Sequence, residues 1–116
     1  MLAHSLMLRA SSETTETPVD PRALADRSID PLIPGGHELL DLVDAVVPVS
    51  TASTDTVRSM VVDQLSPDAL VDAVGVIGNF ELMNRIADAT GIPVGKGALA
   101  RTEQWRSDLH LDRFRH

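Results

Sequence analysis

Residues 65–93 read LSPDALVDAVGVIGNFELMNRIADATGIP, and the fold turns on them. Ser66 offers a side-chain oxygen to the unpaired N–H groups of a helix start. Pro67 suits the first helical position, and Asp68 sets a negative charge in the first turn. At the other end Gly91 accepts the left-handed conformation of a helix cap, and Pro93 cannot continue a helix. These signals predict one helix from Pro67 to Thr90, about 36 Å long at about 1.5 Å per residue.

Turning by about 100° per residue sorts this helix into faces. Val71, Gly75, Gly78, Leu82 and Ala89 fall in one narrow stripe. Each glycine there costs roughly 1 kcal/mol relative to alanine, which predicts the close approach of another backbone. Asn79 projects with Asp72, Met83 and Ile86, and its amide is expected to bond a backbone group or its own copy in another subunit. Gly75, Gly78, Asn79 and Leu82 are therefore candidate oligomer-interface residues. Glu81, Asn84, Arg85 and Asp88 lie on a different face, which earlier carries Leu70, Val74 and Ile77. Glu81 and Arg85 are spaced i, i+4 with the acid first, the favourable order for a helix-surface pair. The helix is expected to run from a packed environment into a wetter one.

Upstream, His37 to Val47 reads as an amphipathic helix, with Leu39, Leu40, Val43, Val46 and Val47 opposite Glu38, Asp41 and Asp44. Pro48 stops it. Ser53 or Thr54 can cap a second helix whose Val57, Met60, Val61 and Leu65 face one side. Strand-like alternation is absent, so the chain reads as all-α: a small bundle with one long helix packed on two shorter ones, completed by oligomerisation. Residues 1–10 can form a turn or two of helix, and SSETTETP (11–18) reads as a linker. Asp20 and Pro21 open a short helix that DPLIPGG (30–36) ends. The expected organisation is an N-terminal segment and linker at 1–36, partly disordered, a helical domain at 37–95, and a mixed-charge tail at 96–116.

Composition narrows the function classes. The chain has 116 residues, a formal charge of −7 and only three aromatic residues, so aliphatic groups must fill one small core. Residues 1–95 carry five basic and fourteen acidic groups, whereas residues 96–116 carry five basic and three acidic. Such a surface repels phosphate, and no nucleic-acid partner is expected. The absence of cysteine removes disulfides, thiolate catalysis and Cys-ligated metals. MLAHSLML lacks the basic start of a secretory signal, and the apolar run from Ala73 to Gly78 is too short to cross a bilayer. A cytoplasmic protein without a membrane partner is expected.

With the helices placed, residues 65–93 resemble the late helix of the alkylhydroperoxidase-D-like, or carboxymuconolactone decarboxylase, superfamily. The residues that carry the likeness are Leu65, Ser66 and Leu70, then Asn79, Asn84 and Arg85, then Ala87 to Gly91. HELLDLVDAVV (37–47) and TDTVRSMVVDQL (54–65) are similar to the helix pair that precedes it, so the resemblance covers about half the chain. It implies an all-helical fold, homo-oligomers and often a thiol peroxidase with a Cys-x-x-Cys pair beside His and Glu. That redox block has no counterpart here. The resemblance thus implies a shortened member without peroxidase chemistry.

Other chemistry rests on few residues. A cysteine-free decarboxylase-like branch of the family holds carboxylated substrates through basic and His groups. The candidates here are Arg85 and His37, with His4 a third. A small carboxylated molecule is the alternative ligand, and no cofactor is expected. His37 follows ProGlyGly at a helix start, where a capping or surface role is favoured. In a helix His110 and His116 do not share a face, so no metal site with Asp112 is expected. GIPVGKG (91–97) lacks the phosphate-loop pattern and reads as a hinge. Trp105, Leu109, Leu111 and Phe114 give the tail apolar groups to dock on this chain or on a copy of it. Two functions emerge: a self-associating protein without redox chemistry, or a decarboxylase-like enzyme gripping a carboxylate with Arg85.

Overall fold

The computed structural model describes residues 2–47, 53–93 and 95–109, which form six α-helices, with no strand among them. They are α1 (Leu2–Thr15), α2 (Gly36–Val46), α3 (Thr54–Gln64), α4 (Pro67–Thr90), α5 (Lys96–Arg101) and α6 (Glu103–Asp108), with one 3-10 turn at Pro21–Leu24. The chain divides into two compact units. One comprises residues 34–92, and the other gathers residues 1–33 with 93–116.

In the unit formed by residues 34–92, α2 and α3 pack together and α4 lies against both. Its core is Leu42, Val57 and Val61, with Leu42 and Val61 wholly buried. Leu39, Ala45, Leu65, Leu70, Ala73 and Ile77 pack around them. This corrects the expected face of α2. Leu42, not Val43 or Val46, is the centre, and those two valines are about two-fifths exposed. The seam of α2 runs through Leu39, Leu42 and Ala45 at three-residue steps, which turns Val43 away from the partners. On α3, Val57 and Val61 are buried as their i, i+4 spacing predicts, whereas Met60 is 41% exposed.

A tight junction opens α2. Gly35 is its N-cap at φ +64°, and a Cβ built there would lie 2.7 Å from Leu65 Cγ. Glycine answers both constraints, since it enters the left-handed region readily and has no side chain to collide.

The other unit differs from its sequence reading. The SSETT stretch continues α1 to Thr15, where the Thr14 and Thr15 hydroxyls donate to carbonyls one turn back. Arg9 and Glu13 pair at 2.9 Å across the same turn. Asp20 does cap as its position before Pro21 predicts, but the element is a single 3-10 turn. Its carboxylate accepts from the Arg22 backbone N–H at 3.0 Å and from the Arg22 guanidinium at 2.6 Å. Asp26 and Asp30 accept likewise from the N–H groups of Ser28 and Leu32. Residues 96–108, read as a tail, hold the short helices α5 and α6. Thr102 between them is buried, its hydroxyl donating to Ala98 O at 2.6 Å. Leu109 is buried as well.

Candidate functional site

The long helix is built as its end signals dictate. Ser66 Oγ accepts from the Ala69 N–H at 3.0 Å, Pro67 follows, and Asp68 stands in the first turn. Gly91 adopts φ +63°, and the N–H groups of Gly91 and Ile92 close on the carbonyls of the last turn. Both ends are thus determined locally, and 24 residues of helix lie between them.

Packing uses only one side of that helix. Leu70, Ala73 and Ile77 turn toward the core, yet no residue of α4 is fully buried. The opposite side carries Val71 (70% exposed), Leu82 (59%) and Ile86 (51%), flanked by Val76 and Met83. Gly75 and Gly78 lie on this side too, and a Cβ at either would meet nothing within 4 Å. The close backbone approach predicted for these glycines is not made within the described residues. Asn79 is exposed, and its amide donates to Met83 Sδ at 3.7 Å. The four interface candidates therefore share one open surface of α4, which Val71, Val76, Met83 and Ile86 extend. The stripe was legible at helical spacing; its width was not.

The polar end of α4 is solvated. Arg85 reaches Glu81 at 3.4 Å, and the Arg85 side chain is 77% exposed. His37 sits exposed in the first turn of α2. Neither residue lines either of two open depressions, both in the terminal unit. One is walled by Leu8, Arg9, Ser12, Glu13, Val19 and Pro21, the other by Asp20, Pro21, Arg22, Asp108 and Leu109. In both, the facing charges are already drawn to a neighbour on the same chain, Arg9 to Glu13 and Arg22 to Asp20. The hydrogen bonds from Arg22 hold the Asp20 carboxyl below its usual range, and Asp20 in turn raises Arg22. Asp26 is lowered by the Ser28 hydroxyl and N–H. These shifts belong to turn-forming carboxylates, each bonded to the residue two positions ahead.

Among the described residues no group of three His, Cys, Asp or Glu side chains could hold a metal. No helix there is long and apolar enough to cross a membrane. The side chains of His4 and Trp105, and residues His110, Leu111, Asp112, Phe114 and His116, lie outside the described part of the structure. No protein-family model, curated protein or solved structure matches the chain.

Proposed function

We propose that this chain is a shortened, cysteine-free protein of carboxymuconolactone decarboxylase-like lineage that works in the cytoplasm by self-association through the exposed side of α4. The order and spacing of the residues quoted from 37–95 support the lineage. The observation that carries self-association is the open side of α4. A capped helix of 24 residues keeps Val71, Leu82 and Ile86 at least half exposed while packing through its other side. An open row of large apolar side chains on one side of a helix supports a reading as an interaction surface. Thiol peroxidase chemistry has no nucleophile here, because the chain contains no cysteine.

The test is the mass of the purified chain by light scattering behind a sizing column, over a range of concentrations. A dimer or larger assembly is expected. Gly78→Leu, whose Cβ would meet nothing within 4 Å, should return the chain to monomer with its helical signal intact. An assembly unaffected by Gly78→Leu would remove α4 from the interface.

A further inference from the structure

We infer that α4 pairs with the α4 of a second copy in antiparallel orientation, Gly75 of each copy lying against Gly78 of the other. This rests on the self-association reading above and supplies its geometry. Positions 68, 71, 75, 78, 82 and 85 follow the alternating three- and four-residue spacing that keeps one seam of a helix facing a partner. The residues there are Asp68, Val71, Gly75, Gly78, Leu82 and Arg85, all six exposed, with Arg85 at the edge where this seam borders the Glu81 face. Their order is mirror-like. Two glycines occupy the centre, one large aliphatic residue lies outside each, and opposite charges stand at the ends.

An antiparallel copy related by a two-fold axis through the centre of this seam matches it at every step. Gly75 meets Gly78, Val71 meets Leu82, and Asp68 meets Arg85, and the symmetry makes each contact twice. The glycines let the axes come closer than the usual separation of about 8–10 Å. The nearest layers on either side are apolar, and the outermost ones are ion pairs. Arg85 already points a largely solvated guanidinium from this helix, touching Glu81 only at 3.4 Å. Contact along most of a helix about 36 Å long is on the order of the 1,000 Å² that a specific interface needs.

The charges select the orientation. A parallel copy sets each residue against itself, Asp68 on Asp68 and Arg85 on Arg85, and like charges across an interface are repulsive. It also aligns the two helix dipoles, which the antiparallel arrangement opposes. A foreign helix could cover the same apolar side, but the matched ends favour this chain's own copy.

The cysteine-free sequence makes a clean test. Val71→Cys and Leu82→Cys are introduced singly and together, and the chains are oxidised at a concentration where light scattering reads the assembly. The double variant is expected to cross-link between chains, with residues 71 and 82 joined in the digest. Eleven residues, about 16 Å of rise, separate them within one helix and forbid an intrachain bond. Each single variant should cross-link at least about tenfold more slowly than the pair, since the antiparallel register holds like positions a comparable distance apart. In parallel, Arg85→Asp should weaken the assembly about tenfold or more, and Asp68→Arg combined with Arg85→Asp should restore it. An assembly in which the single variants cross-link to themselves would be parallel and would overturn the orientation alone. An assembly that never cross-links at 71 or 82 would place the interface elsewhere and overturn this pairing. A chain that is monomeric at every concentration would overturn self-association itself.

Discussion

Leu65 lies directly over Gly35: the nearest branch carbon of the leucine is 2.7 Å from where a β-carbon at residue 35 would stand. The contact ties the entry of α2 to the exit of α3, and Gly35 holds a left-handed φ of +64° at the same point. Gly35→Ala should therefore destabilise the helical unit twice over, by about 1–2 kcal/mol for the backbone and further for the collision. Leu65→Ala added to Gly35→Ala should relieve only the second part. Chemical denaturation of the two variants measures the difference, and a neutral Gly35→Ala would contradict the geometry.

Two leucines on neighbouring helices should behave in opposite ways. Leu42 is wholly buried, so Leu42→Ala is expected to cost about 2–5 kcal/mol. Leu82 is 59% exposed, and Leu82→Ala should change the folding stability of the dilute chain by less than about 0.5 kcal/mol. The same Leu82 variant should lower the assembly state at high concentration. Thermal melting at two concentrations separates the two effects.

Gly75 and Gly78 allow a related comparison. A Cβ at either position would meet nothing within 4 Å, so Gly75→Ala should stabilise the isolated helical unit by up to about 1 kcal/mol through helix propensity. If the glycines seat a second copy, that variant should also dissociate more readily. A melting temperature that rises in dilute solution and a mass that falls in concentrated solution are the expected pair of readings.

Leu32 holds a left-handed φ of +65° in the loop before α2, with its side chain 48% exposed. Its N–H donates to Asp30 Oδ1 at 2.8 Å, which pins the turn. Leu32→Gly should remove the steric cost, about 1 kcal/mol, at small loss of packing. Higher resistance to denaturant is the expected result, and a loss would show that the leucine side chain holds the loop.

Asp20 sets an acid limit on the 3-10 turn. Its folded pKa is depressed from the ordinary 3.8 by the Arg22 hydrogen bonds. The stabilisation is therefore present above that value and is lost as pH falls through the lower folded value. Carboxyl shifts followed by NMR should show Asp20 titrating below 3.8, and Arg22→Ala should return it toward that value. An Asp20 that titrates normally beside an intact Arg22 would contradict the bidentate contact.

Much of this architecture was legible because its causes are local. The ends of α4 depend on Ser66, Pro67 and Gly91 and on backbone groups within a few residues of each. The Glu81–Arg85 pair follows from one turn of helix. The seam of α2 was less legible, because six apolar residues between Leu39 and Val46 compete at similar spacing and only contact with α3 and α4 picks Leu42. The helical continuation of SSETT to Thr15 is not legible in its composition. Its threonines are poor helix formers, yet two of them bond their own helix backbone while Arg9 and Glu13 brace the same turns.

The sequence by itself determined that this chain is helical, where its long helix starts and stops, and that no thiol chemistry is available to it. Those properties are carried by single residues acting over one or two turns. Only the tertiary structure decided that residues 1–33 and 93–116 gather into one unit, that Leu42 centres the core, and that the glycine side of α4 is left open. Each of these depends on contacts between segments far apart in sequence, which helical periodicity cannot rank: it states which residues share a face, and packing alone states which face is covered.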